Sequence, residues 1–310
     1  MKRMTASVFV AFLAVAMWAQ GPTQFHPGFN LFSKQQDVQL GQENAAQVRK
    51  QLPVIKDPVL TDYVTRVGKR LMSAREAQES GFPFTFEVVA DPSINAFALP
   101  GGPMFINTGL LKAVDNEAQL AGVMGHEMSH VILRHGTNQA SKSKLIELPA
   151  LLGSQMAGGS MIGKLAQVGI GLGANSVLLK FSRSAESQAD LMGSHLMAES
   201  GYDPMQMARF FEKLNAQGGG RTMQFLSDHP NPDNREKAIE EESHRLPQQN
   251  YSYQTGQFER MKQAVSKIKE PKPKPLSQPQ PQQQEQPQQQ PQPQQQPQQQ
   301  EQSSPHLNNN

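Results

Sequence analysis

The sequence predicts a mainly helical α+β protein with a small antiparallel sheet. Helix-period apolar spacing with capping residues recurs along most of the chain, and strand signals are confined to residues 84–106. In the longest of these helices His126-Glu127-Met128-Ser129-His130 sets two imidazoles one turn apart, on one face.

Each element follows from local signals. Met1-Lys2-Arg3 followed by the apolar run Thr5 to Trp18, with small residues at Ala14, Ala16 and Ala19, reads as a secretory signal peptide over residues 1–19. An uncleaved anchor is the other reading, but the run is short for a membrane span. Residues 20–35 read as a linker. Helices follow at 37–52 and 60–74, separated by Pro53 and Pro58. Phe84 to Val89 reads as a strand, and Ile94 to Leu99, Pro100-Gly101-Gly102 and Met104 to Ile106 as a hairpin. Asp115 or Asn116 caps the next helix, Glu117 lies in its first turn and Gly136 follows its last. Leu120, Val123, Met124, Met128, Val131 and Ile132 give it an apolar stripe.

Residues 145–179 are rich in Leu, Met, Ala and Gly, interrupted by Glu147 and Lys164. They read as buried or interfacial helices or a lid over a cleft, with membrane-surface contact a secondary reading. Ser182 to Ser200 forms a helix ended by Gly201, Asp203-Pro204 starts another to about Gln217, and Gly218-Gly219-Gly220 breaks it. Helices follow at 233–244 and 257–269. Beyond Glu270 the chain is mostly Pro and Gln, which cannot bury enough apolar surface to order itself; a spacer toward a partner or the cell wall is its functional reading.

Composition narrows the function. Lys and Arg total 29 against 27 Asp and Glu, and removing Lys2 and Arg3 with the signal peptide balances them. Nothing here suggests a nucleic-acid surface. With no Cys there is no disulfide and no thiol nucleophile.

The His-Glu-x-x-His spacing describes a metal site: two His ligands, a Glu able to take a proton from water, and an open coordination position. A catalytic zinc needs a third protein ligand, which here must be His, Glu or Asp. Glu186 and Asp190, four residues apart on one helical face, offer a ligand and an acceptor for the other ring N–H of a ligand His. Asp228-His229-Pro230 through Arg235 is a Pro-rich turn entering a helix. His229 or Arg235 could stabilise the oxyanion of an acyl intermediate, or His229 could occupy the metal's open position and block it. His195 and His135 fall off the ligand face, and His26, His244 and His306 lie in loops, helix ends or tail; all five read as structural or solvated.

Four segments carry a resemblance. Asn116 to Gly125 leading into His126-Glu127-Met128-Ser129-His130, then Ser182-Arg183…Glu186…Ala189-Asp190, together with Asn95 to Gly102 and His229-Pro230…Arg235, resemble the HtpX/BepA/CAAX-endopeptidase-like zinc metallopeptidases, which are gluzincins. The resemblance covers roughly residues 35–245 and is nearest to periplasmic BepA-like members, without their helical repeats. It implies a gluzincin-type domain over 36–248, a C-terminal helix over 249–269 and a disordered tail over 270–310. It implies one Zn2+ held by His126, His130 and Glu186, with Glu127 as general base, His229 and Arg235 in site roles and Asp190 behind the ligands. It also implies a strand near Ile94 to Leu99 that receives substrate as an added strand. The expected protein is a periplasmic zinc endopeptidase acting on unfolded or misassembled envelope proteins. A zinc-bound chaperone with latent hydrolysis, and a zinc hydrolase of non-peptide substrates, are the other two readings.

Overall fold

The computed structural model describes residues 21–152, 181–217, 224–230, 234–253 and 256–271. The expected signal peptide, most of the segment 145–179, the Gly218-Gly219-Gly220 break and the Pro/Gln tail lie outside them. The described elements run α1 (Lys34–Gln51), β1 (Val54–Ile55), α2 (Pro58–Leu71), α3 (Arg75–Ser80), β2 (Thr85–Val89), β3 (Ala96–Ala98), β4 (Pro103–Asn107) and α4 (Thr108–Ala113). They continue with α5 (Glu117–Ile132), α6 (His135–Leu152), α7 (Arg183–Glu199), α8 (Met205–Ala216), α9 (Gln224–Asp228), α10 (Arg235–Arg245) and α11 (Phe258–Ser266).

The protein is mainly helical with a four-stranded sheet of order β1-β2-β4-β3. The expected hairpin is present: β3 pairs antiparallel with β4, Phe97 opposite Phe105. The sheet is mixed, however, and not antiparallel throughout, because β2 and β4 pair in parallel, Thr85 opposite Pro103 and Val89 opposite Asn107. The reason is topological. After β2 the chain builds the hairpin so that its second strand lies inside and its first at the edge. Gly101 and Gly102 make the tight return, with φ of 77° and 119° that L side chains rarely adopt.

Strand alternation sorts the core into two parts. Phe86, Val88, Met104 and Ile106 face the large core, shared with α2, α5, α7, α8 and α11. Val89 and Phe105 face the opposite way, against Ala45 and Val48 of α1 and Leu99. Burying one such Phe side chain is worth about 2–3 kcal/mol. Residues 21–33, expected as a linker, are tied to the domain. Thr23 bonds both carboxylate oxygens of Glu242 at 2.7 Å, Asn30 bonds Thr137 at 2.7 Å, and the Leu31 amide bonds Ser141 Oγ at 2.9 Å. Among the described residues no helix is long and apolar enough to cross a membrane.

Candidate metal centre

Helix α5 begins where Asn116 accepts from the Gln119 amide at 2.9 Å. From Glu117 to Ile132 every residue is buried, not just one stripe, because α5 runs through the middle of the domain. Its polar side chains must therefore find partners inside. Helix α7 starts on Ser182, whose Oγ accepts from the Ala185 amide at 3.2 Å. It crosses α5 at Gly125 and Gly193. A Cβ on Gly193 would stand 3.1 Å from the His126 amide nitrogen, so glycine there sets how closely the two backbones approach.

That approach brings the carboxylates of α7 to the histidines of α5. His126 Nδ1 lies 2.9 Å from Asp190 Oδ1, so this N–H donates to the carboxylate and Nε2 is left bare. His130 Nε2 lies 3.1 Å from His126 Nε2. Glu186 joins them, with Oε2 3.3 Å from His126 Nε2 and Oε1 3.6 Å from His130 Nε2. His229 arrives just past α9, its amide bonded to the Phe225 carbonyl at 2.8 Å and its ring stacked on Phe225. Its Nδ1 is 3.2 Å from His126 Nε2 and 3.1 Å from Glu186 Oε1. Ligand atoms of His126, His130, Glu186 and His229 all lie within 4.8 Å of one another, and all four residues are buried.

Glu127 flanks this group: its Oε2 accepts from the Ala98 amide of β3 at 3.2 Å, and its Oε1 lies 3.1 Å from His229 Nε2. Arg235 donates through Nε to Asp190 Oδ2 at 2.7 Å, and its guanidinium lies over the Phe211 ring. Of the sequence-predicted site residues, the structure thus brings His126, Glu127, His130, Glu186, Asp190, His229 and Arg235 together.

Do these residues fit a metal? Four ligands about 2.0–2.1 Å from a tetrahedral zinc stand roughly 3.4 Å from one another. The separations of 3.1–3.6 Å found here bracket that value. Glu186 Oε2, fully buried, completes no hydrogen bond within the protein. Glu127, Glu186 and Asp190 bring three formal negative charges against the single positive charge of Arg235, all buried. A divalent cation balances the remainder.

Without a cation, protons take its place. Burial pushes His126 and His229 down, but the surrounding carboxylates outweigh it and raise both, His229 to about 10. Burial opposes charge on Glu186 too, yet hydrogen bonds from His126 and His229 hold it at about 2. His130, desolvated and close to charged His126, is held well below its ordinary 6.5.

Sequence reasoning missed a second group. His135 Nδ1 lies 2.9 Å from His130 Nδ1, and His135 Nε2 lies 3.1 Å from Gln188 Oε1 of α7. Phe181 stacks on the His130 ring with centroids 4.1 Å apart. In a continuous helix His135 falls off the ligand face. The chain is not continuous there: α5 ends at Ile132, and Arg134 adopts a φ of 57°. The stop comes from Arg134, not from Gly136, which lies inside α6. No spacing rule signals it. His195 sits elsewhere, between Glu76 and Glu242, and His26 and His244 are exposed; His306 lies outside the described residues.

Comparison with known proteins agrees with this geometry. The chain is 34% identical over 207 residues to the beta-barrel assembly-enhancing protease of Escherichia coli K12, covering 64% of this chain and 42% of that protein. It is 31% identical over 222 residues to a putative beta-barrel assembly-enhancing protease of Vibrio cholerae, covering 68% and 45%. It is 33% identical over 183 residues to the mitochondrial metalloendopeptidase OMA1 of Schizosaccharomyces pombe, covering 58% and 52%. The chain therefore spans about half or less of the length of these relatives. Residues 58–243, more than half of the 310 and including every residue of the buried group, match the profile of peptidase family M48. The chain belongs to peptidase family M48.

Proposed function

We propose that the protein is a secreted, zinc-dependent endopeptidase of the bacterial periplasm that hydrolyses unfolded or misassembled envelope proteins. One observation carries the reading: the bare Nε2 atoms of His126 and His130 face a buried Glu186 oxygen, with the Glu127 carboxylate beside them. The expected signal peptide supports the location, and the names of the bacterial relatives support the substrate class.

His126, His130 and Glu186 would hold the zinc. Bound there, zinc supplies Lewis-acid polarisation of the scissile carbonyl and acidifies water toward neutral pH. Glu127 takes the proton of the attacking water on its carboxylate and returns it to the leaving amine. Asp190 holds the His126 ring through Nδ1, and Arg235 holds Asp190. Strand β3 is the free edge of the sheet. Its Leu99 amide bonds back to Pro103, so the Ala98 amide faces outward, where Glu127 takes it. An extended substrate adding to this edge would run past the general base.

His229 favours a resting state. Its Nδ1 is grouped with the three ligands and its Nε2 meets Glu127, so in this pose it covers both the open position and the base. A four-ligand site is closed to water.

The test is metal content with casein cleavage, side by side, for the full-length parent, Glu127→Gln and His229→Ala. One zinc per chain in parent and Glu127→Gln, with turnover lowered about 10²–10⁴-fold in the latter, is the expected result. His229→Ala should raise turnover. Zinc without cleavage in the parent and in His229→Ala would favour the chaperone reading. Turnover unchanged in Glu127→Gln would overturn the proposed chemistry.

A further inference from the structure

The proposed ligands His126 and His130 are supported in different ways. Behind His126 stands a carboxylate, Asp190. Behind His130 stands another imidazole, with its Nδ1 2.9 Å from His130 Nδ1. Two nitrogens at that distance share one proton: two N–H groups would collide, and two lone pairs would repel. The far side of His135 decides which ring owns it. His135 Nε2 lies 3.1 Å from Gln188 Oε1, a carbonyl oxygen that can only accept. His135 therefore carries its proton on Nε2, and its Nδ1 is the bare acceptor. The shared proton then belongs to His130 Nδ1, which leaves His130 Nε2 bare and aimed at His126 and Glu186.

We propose that His135 and Gln188 form a positioning relay that locks His130 in the Nδ1–H tautomer, so that its Nε2 is the ligand atom. This rests on the reading of His130 as a metal ligand.

The backbone is bent to make the relay. Arg134, a residue without glycine's freedom, sits at φ 57°, a conformation that costs roughly 1–2 kcal/mol. Its guanidinium is held by Asp37 Oδ2 at 2.6 Å and by the Phe32 carbonyl at 2.5 Å. That reversal turns His135 back over α5, and Phe181 closes the stack against His130. Strain held by distant contacts at such a point marks a position the fold is built to enforce. The neutral acceptor also has an electrostatic use: another carboxylate here would add a third uncompensated negative charge to the site.

The experiment compares full-length parent, His135→Leu, His135→Asn, Gln188→Leu and Glu186→Ala. Zinc affinity is read by chelator competition, and the His130 tautomer by long-range proton–nitrogen NMR of the metal-free protein. Asn places a carbonyl oxygen where His135 had Nδ1, so it can still accept. The expected result is an Nδ1–H His130 in parent and His135→Asn, with zinc affinities within about threefold. His135→Leu should mix the tautomers and weaken zinc about 10–100-fold. If His135→Leu does not fold, Gln188→Leu decides, since freeing His135 to donate should populate the Nε2–H form of His130. Unchanged tautomer and affinity in the folded members of that pair overturn the relay while leaving the metal site standing. Unchanged affinity in Glu186→Ala overturns the ligand reading beneath it.

Discussion

Helix α7 serves two buried clusters of histidine and carboxylate, and their difference is instructive. Toward its start, Glu186 and Asp190 meet His126 and His130. Nine residues past Glu186, His195 meets Glu76 through Nδ1 at 3.3 Å and Glu242 through Nε2 at 2.6 Å. Both clusters are buried, and in both a histidine is raised above 6.5 by carboxylates against the pull of burial. They part over ring nitrogens. His195 spends both on protein carboxylates and has none left. His126 and His130 each spend Nδ1 and turn Nε2 to a common point. The first arrangement is a clamp. It ties α7 to α3 and α10, and through Glu242 to Thr23, while Phe25 packs edge-on against the His195 ring. The second has the geometry of a ligand set.

The sharpest way to break the comparison is to remove one carboxylate from each cluster's logic. Glu186→Ala should lower zinc affinity by more than the roughly 100-fold attributed to outer partners of a ligand, with little change in the stability of the metal-free protein. His195→Leu should do the reverse. It strands Glu76 and Glu242 without their shared partner, and breaking a buried ion pair from one side costs about 3 kcal/mol. Urea denaturation of the metal-free chains measures the stability, and chelator competition the affinity. If His195→Leu lost zinc while keeping its stability, the distinction between clamp and ligand set would fail.

A smaller effect tests the link between helix packing and the ligand set. In Gly193→Ala the new methyl would stand 3.1 Å from the His126 amide and 3.3 Å from the Gly125 carbonyl carbon, so the helices must part by a few tenths of an ångström. Overpacking of this kind should destabilise by about 1 kcal/mol and weaken zinc severalfold. The same substitution should leave the His195 clamp's contribution intact, which the double variant with His195→Leu would show as additive stability losses.

What could be read from the sequence divides along the same line. The residues that meet at the centre are spaced by single helical turns, as in His126 to His130 and Glu186 to Asp190, so local periodicity nearly places them. The helices themselves were legible because caps such as Asn116, Ser182 and Asp57 stand at their starts. The position of His135 was not, because it depends on Arg134 being held by Asp37 and Phe32, about a hundred residues earlier in the chain. The parallel pairing of β2 with β4 was not, because strand spacing says nothing about which hairpin strand lies innermost. The docking of residues 21–33 was hidden for the same reason: Thr23 finds its partner 219 residues away.

The finest test of the comparison is pH. Glu76 and Glu242 are opposed by burial, but hydrogen bonds led by His195 hold both at about 2. A lowered carboxylate contributes stability that is present above its ordinary 4.5 and is lost as pH falls toward 2. His195 is raised, so its contribution is present below 6.5 and is lost as pH rises through its folded value. The clamp should therefore be strongest between about pH 4.5 and 6.5. The acid side does not separate the two regions, because Glu186 also lies at about 2 in the metal-free site. The alkaline side does once zinc is bound, since ligand imidazoles are neutral and release no proton there. The stability difference between zinc-loaded parent and zinc-loaded His195→Gln should then shrink above pH 6.5, with a slope of at most about 1.4 kcal/mol per pH unit for one proton. Subtraction cancels the zinc linkage common to both chains. A difference that stayed flat through that range would mean that His195 is neutral in the fold, and the clamp would be two hydrogen bonds without an ion pair.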